Sequence, residues 1–243
     1  MGDRPSLSIF FPCYNDAGTI GALVASADGI AREVTDDYEV IVIDDGSTDG
    51  SRTLLSRLRE RFTRLKVILH DRNRGYGGAL RSGFSCAGKD LVFYTDGDGQ
   101  YDVGELPILL ERLQDGVDVV NGYKVRRSDP WYRKAIGGAY LRLMRALFDV
   151  KVRDINCDFR LIRRETLDGV RLDYDSGAIC VELVVKLERS GARFVEVPVA
   201  HYPRRYGKSQ FFSLRRVIQT WQDVRRLRRR MMASDGGRPG GGV

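Results

Sequence analysis

The chain has 243 residues, of which 42 % are hydrophobic and 30 % charged, enough for one α/β domain with a substantial core. Its formal net charge is +7, and this basic balance points to an anionic partner: a nucleic acid, a phosphorylated small molecule or a membrane surface. Apolar runs of roughly 18 residues are absent and the N-terminus has no signal-peptide pattern, so neither a spanning helix nor a cleaved leader is expected.

In chain order, residues 7–11 read as a buried strand bounded by Pro12, and 17–34 carry apolar positions at helical spacing. A second strand, 38–43, ends in Asp44 and Asp45. Ser47 or Thr48 is expected to cap the next helix, which runs to about 62. A third strand follows at 65–69. A glycine-rich turn at 75–78 opens a helix to about 87, and a fourth strand at 90–94 leads to Asp96. A helix over 103–113 and a strand over 117–121 come next. Beyond about 125, helices are expected over 131–149 and 178–190, with strands at 159–162 and 194–197. The four cysteines, at 13, 86, 157 and 180, form no zinc spacing and are expected to be reduced thiols in a cytoplasmic protein.

The alternation predicts an α/β fold, a mostly parallel central sheet with helices on both faces. Ligands of such sheets bind at the carboxyl ends of the strands. The polar motifs fall there: residues 12–16 (PCYND), 44–47 (DDGS) and 96–100 (DGDGQ). Asp96 and Asp98 are one residue apart, so in extended chain they face the same way. The intervening glycines let a ligand approach closely. Two convergent carboxylates suit a hard divalent cation, Mg²⁺ or Mn²⁺, which neutralises a leaving diphosphate. One carboxylate of the Asp44–Asp45 pair can accept from a base N–H or a ribose hydroxyl while the other caps a helix.

Together these stretches resemble the inverting nucleotide-sugar glycosyltransferases of the GT-A (Rossmann-like) fold, and within them the polyprenyl-phosphate and dolichyl-phosphate sugar synthases. The matching segments are 10–20, 42–51, 73–84, 95–106, 131–147, 152–167 and 196–211, in the family's order. The resemblance implies that Pro12, Tyr14 and Asp16 line the nucleoside pocket. It puts Asp45 on the base and Arg74 and Gly75 beside the nucleotide. It gives Asp96, Asp98 and Gln100 the metal and diphosphate, and it sets Arg133 and Arg204 around the acceptor phosphate and leaving group. Asp16 stands where the family usually has Glu. Residues 157–158 are Cys-Asp where the branch often has Ser-Gly, and Gly137 replaces a family Ser.

On this reading residues 1–125 bind the nucleotide-sugar, and 126–210 form the acceptor half of the same domain. The donor is GDP-mannose or UDP-glucose, with mannose the first choice, and the acceptor a polyprenyl or dolichyl phosphate. A phosphate acceptor is already anionic and needs no general base; it needs cations to place it. Arg126, Arg127, Arg133, Lys134, Arg204, Arg205 and Lys208 crowd this half. Asp158 and Glu182 are candidate bases for a hydroxyl acceptor, with an ion pair to Arg160 and a helix-face contact as their alternatives.

Residues 211–232 place Phe211, Leu214, Val217, Ile218, Trp221, Val224, Leu227 and Met231 at helical spacing, with arginines filling much of the remainder. This is the pattern of an interfacial amphipathic helix. It predicts a peripheral protein on an anionic membrane at the inner face, with a separate anchoring protein as a possible partner. Residues 233–243 are Gly-rich and expected to be disordered. Three rivals are a glycosyltransferase of the same fold acting on a hydroxyl acceptor, a nucleotidyltransferase making the nucleotide-sugar, and a non-catalytic basic nucleic-acid- or membrane-binding protein. The first strand ends in PCYND where a nucleotidyltransferase has a Gly-rich phosphate loop, which argues against the second. No nucleic-acid partner is expected, since acids at the strand ends repel phosphates unless a metal intervenes.

Overall fold

The computed structural model describes residues 5–127, 131–204, 206 and 213–236. Seven strands form one sheet: β1 (Leu7–Cys13), β2 (Tyr38–Asp44), β3 (Leu65–Leu69), β4 (Leu91–Thr95), β5 (Val119–Arg127), β6 (Phe159–Arg163) and β7 (Phe194–His201). Their order is β3-β2-β1-β4-β6-β5-β7. All pairings are parallel except those of β6, which runs antiparallel between β4 and β5. β5 crosses residue 125, so the expected donor and acceptor halves share one sheet.

Among the described residues seven α-helices accompany the sheet: α1 (Ile20–Val34), α2 (Ser51–Arg61), α3 (Tyr76–Cys86), α4 (Leu106–Arg112), α5 (Trp131–Phe148), α6 (Ala178–Arg189) and α7 (Leu214–Gly236). The side-chain period of two in β1 assigns its residues to opposite layers. Leu7, Ile9 and Phe11 enter the core that holds α1 and α4 residues, while Phe10 enters the one beneath α3 and α6. Phe10, Phe84 and Tyr94 pack ring to ring at 5.0–5.3 Å. A third cluster joins α5, α6 and α7 through Met144, Phe148, Val181, Val185, Val224, Leu227 and Met231.

Several elements differ from the sequence reading. Pro12 lies inside β1 rather than bounding it. Pairing with β4 stops at Phe10, so the missing N–H of Pro12 faces a stretch with no strand partner on that side. β5 and β7 run on to Arg127 and His201, because each supports the other in a parallel ladder with an irregularity between Lys124 and Arg126. Neither Ser47 nor Thr48 caps α2. Asp49 Oδ1 accepts the Ser51 N–H, and Ser47 Oγ accepts that of Asn15. α7 begins at Leu214 and continues to Gly236, past the expected start of the tail; residues 237–243 and Phe211 lie outside the described residues. The cysteines are all free thiols.

Candidate active site

The chain order around β1 reverses between β1 and β4, which opens a crevice beyond their carboxyl ends. The loops after β1, β2 and β4 meet there. A Cβ on Gly97 would lie 2.2 Å from the Pro12 carbonyl oxygen, so only glycine lets the two loops approach this closely. Thr19 Oγ1 donates to the Gly97 carbonyl at 2.8 Å and locks that approach. Asn15, with φ of 58°, turns its side chain to accept the Thr48 and Asp49 N–H groups at 2.8 and 3.2 Å. Asp16 Oδ2 accepts the Tyr14 N–H at 3.1 Å. Burial raises the Asp16 carboxyl to about 6.

Asp45 is 3 % exposed and collects three donors. His70 Nδ1 meets Oδ1 at 2.7 Å, the Arg74 N–H reaches Oδ1 at 2.8 Å, and the Gly75 N–H reaches Oδ2 at 2.9 Å. His70 Nε2 contacts Ser82 Oγ at 2.9 Å. Asp45 therefore shapes the 70–75 loop, whatever further bond it makes. Asp44 pairs with Arg52 at 2.7 Å. Arg74 and Gly75 immediately precede α3, and a cavity of about 800 Å³ is lined by Asp71, Arg72, Asn73, Arg74 and Asp175.

Asp96 and Asp98 follow β4. Tyr76 donates its hydroxyl to Asp96 Oδ1 at 2.7 Å. Burial, then the charges of Asp158 and Asp98, push the Asp96 carboxyl well above the usual range. Asp98 Oδ1 accepts the Gln100 N–H at 3.0 Å, and Arg204 Nη2 donates to Asp98 Oδ2. Arg204 Nη1 stands 3.8 Å from Asp16 Oδ1. Gln100 is stitched to the segment after β7: its Nε2 donates to the Tyr202 carbonyl at 2.9 Å, and its own carbonyl accepts the Tyr202 N–H at 2.8 Å. Pro12, Asp16, Asp96, Asp98, Gln100 and Arg204 are thus one cluster, with Asp45, Arg74 and Gly75 adjoining it through Tyr76. Tyr14 sits between Cys13 and Asn15 in the same loop. Arg133 lies in the first turn of α5, with its side chain outside the described residues; Arg205 and Lys208 also lie outside them.

Below these acids lies a buried layer of which the sequence reading named only the Asp158–Arg160 ion pair. Arg160 is 0 % exposed and donates to Asn121 Oδ1, the Tyr94 hydroxyl and the Ile155 carbonyl. Asp158 Oδ1 stands 3.7 Å from Arg160 and accepts from Cys180 Sγ at 3.4 Å. Lys124 Nζ bonds the Tyr101 hydroxyl at 3.1 Å and the Asn156 carbonyl at 2.6 Å. A charged residue within an apolar strand, Arg160 in Phe159–Arg163, was the available signal. Glu182 is a loop anchor: both oxygens accept the Asp173 N–H at 3.0 Å, and Lys186 closes on it at 2.7 Å.

Residues 8–171 match the model of glycosyl transferase family 2. The chain belongs to that family. Among curated relatives, it is 31 % identical over 223 residues to the undecaprenyl-phosphate 4-deoxy-4-formamido-L-arabinose transferase of Aeromonas hydrophila subsp. hydrophila, covering 91 % of this chain and 67 % of the relative. An Enterobacter sp. protein of the same description is 29 % identical, over 90 % of this chain and 66 % of its own length. The chain thus spans about two thirds of the length of these relatives. Among solved structures, glucosyl-3-phosphoglycerate synthase from Mycobacterium tuberculosis, in complex with Mn²⁺, UDP and glucosyl-3-phosphoglycerate, superposes with a TM-score of 0.70 at 19 % identity, covering 98 % of this chain and 82 % of that one. A mannosyltransferase from Pyrobaculum calidifontis in complex with GDP-Man and Mn²⁺ gives 0.65 at 21 %, covering 93 % and 65 %. At these identities the two structures establish the GT-A fold of this glycosyl transferase family 2 member. Arg204 pairs with Asp98 of the DGD motif, and no helix among the described residues is long and apolar enough to cross a membrane.

Proposed function

We propose that this chain transfers a hexose, mannose first and glucose next, from a nucleotide-sugar to a polyprenyl phosphate with inversion. The observation that carries this reading is the meeting of Asp16, Asp98 and Arg204 at the crevice between β1 and β4. Acids and a guanidinium around one point suit a cation-bound diphosphate. The relatives, named for undecaprenyl phosphate, support the lipid acceptor.

Among the described residues no group of three His, Cys, Asp or Glu side chains is arranged to hold a metal ion. A cation held by one or two carboxylates and completed by substrate phosphates is the usual arrangement for Mg²⁺. Asp96 and Asp98 supply the carboxylates, and Gln100 Oε1 sits on an amide fixed by its bond to Tyr202. When bound, the cation neutralises charge growing on the departing diphosphate. Asp45 and the start of α3 set the nucleoside side of the crevice. Arg204 and Arg133 supply guanidinium forks for phosphate oxygens, and an anionic acceptor attacks without losing a proton.

The membrane contact rests on α7. Its C-terminal half buries Val224, Leu227 and Met231 in the third cluster, while Leu214, Val217, Ile218 and Trp221 are 36–76 % exposed among arginines. Apolar residues beside cations match an anionic bilayer surface. The deciding experiment incubates nucleotide-sugars of mannose, glucose, N-acetylglucosamine and substituted arabinose with short polyprenyl phosphates and Mg²⁺ or Mn²⁺, and reads products by mass. Transfer only to a saccharide hydroxyl overturns the lipid acceptor; release of intact nucleotide-sugar throughout overturns the enzyme reading.

A further inference from the structure

Asp98 offers two carboxylate oxygens, and both are engaged. Oδ1 accepts the Gln100 N–H at 3.0 Å, and Oδ2 accepts Arg204 Nη2. The carboxylate is buried, with 8 % side-chain exposure against 26 % for Arg204. The same guanidinium stands 3.8 Å from Asp16 Oδ1, so one positive charge serves a buried acid and a partly buried one. The root of Arg204 is held: Tyr202, two residues earlier, exchanges bonds of 2.8 and 2.9 Å with Gln100. The backbone is therefore pinned beside the DGD loop, while the long side chain beyond it retains its own torsions.

We propose that Arg204 and the divalent cation compete for Asp98 Oδ2, so that arrival of the cation with the donor releases the guanidinium to the substrate phosphates. The inference rests on Asp96 and Asp98 being the cation site. A hard cation and a guanidinium oppose each other at one carboxylate oxygen, because both are positive and both draw on its lone pairs while Oδ1 already serves the Gln100 N–H. Before the donor arrives, Arg204 balances the charge of buried acids that would otherwise repel one another. A cation by itself gains few ligands and must still displace that pair. A cation bringing diphosphate oxygens gains a fuller shell and gives the displaced guanidinium a new anionic partner. Cation and donor then bind with positive coupling, and Arg204 is a positioning residue whose charge reaches the phosphates only once they are present.

The test is Mn²⁺ binding, followed by the free-ion paramagnetic resonance signal, on the full chain with and without UDP or GDP. R204A is expected to bind Mn²⁺ alone about tenfold more tightly than the wild type, the worth of one charge-assisted hydrogen bond. R204K, which keeps the charge, stays within about twofold of the wild type, and D98N added to R204A removes the gain. Adding nucleoside diphosphate tightens Mn²⁺ binding more in the wild type than in R204A. R204Q carries the same measurement should R204A not fold. An uncharged variant that binds Mn²⁺ alone no more tightly than the wild type, while both bind it with nucleotide, overturns the competition and leaves the cation site standing. Absence of Mn²⁺ binding in every protein with either nucleotide overturns the cation site and the competition together.

Discussion

Asp45 at the end of β2 and Asp96 at the end of β4 are tied to each other by two consecutive residues. The Gly75 N–H reaches Asp45 Oδ2 at 2.9 Å, and the Tyr76 hydroxyl reaches Asp96 Oδ1 at 2.7 Å. The first turn of α3 thus sets the span between the proposed nucleoside and diphosphate ends of the crevice. Gly75, at φ of 88°, adopts a backbone that side chains rarely tolerate, and a Cβ there would lie 2.6 Å from the Asp175 carbonyl oxygen. Tyr76→Phe keeps the ring and removes the bond to Asp96. We expect kcat/KM for the donor to fall about tenfold to a hundredfold with an unchanged melting temperature, as for loss of a bond to a charged group. Unaltered steady-state kinetics would remove Tyr76 from the site.

Asp98→Ala removes the acid that contacts Arg204 and lies in the expected cation site. Transfer should fall by about a thousandfold or more, as when a charge-stabilising group is lost. The circular dichroism spectrum should remain that of the wild type. A fully active Asp98→Ala protein rules out the metal role.

Asp16 titrates near 6 because burial disfavours its charge. Its folded value lies above the unfolded one, so between about 4 and 6 the native state holds more protons and loses stability as pH rises. Asp16→Asn abolishes this dependence. Relative to the wild type, the variant should gain about 1–3 kcal/mol between pH 4 and pH 7, measured by urea unfolding. A constant difference across that range contradicts the assignment.

Asp158 lies near Asp96 but faces Arg160 and Cys180. For a phosphate acceptor, Asp158→Asn should lower kcat by no more than about tenfold and leave its pH profile in place. A general base would cost about a hundredfold or more and remove the limb of the profile that it governs. The second outcome favours a hydroxyl acceptor.

Ile218→Ser with Trp221→Ala removes exposed apolar groups and leaves Val224, Leu227 and Met231 packed. Co-sedimentation with vesicles containing anionic phospholipid should weaken about tenfold or more, through loss of buried apolar area, while the melting temperature holds. Wild-type binding should weaken as salt rises. Sedimentation equal to the wild type would place the contact elsewhere.

Much of the candidate site's arrangement was legible in the sequence. The strand-end motifs at 12–16, 44–47 and 96–100 are short apolar runs stopped by acids and glycines, and β1, β2 and β4 indeed bring them to one crevice. The role of His70 was not legible, since its partner Asp45 is 25 residues away and Ser82 lies on another element. Nor was the division of α7, whose apolar positions keep one spacing along the helix although only the later ones meet α5 and α6.

The sequence by itself determined the alternation of strands and helices, the glycines where backbones touch and the residue types at the strand tips. Those properties depend on side-chain period and on backbone freedom, which neighbouring residues set. Tertiary structure alone decided that β6 enters antiparallel between β4 and β5. It alone closes Arg204 on Asp98 across 106 residues and buries Arg160 beneath the acids. Such pairings follow from the order in which strands assemble and from the loss of water around charges, and no local pattern encodes either.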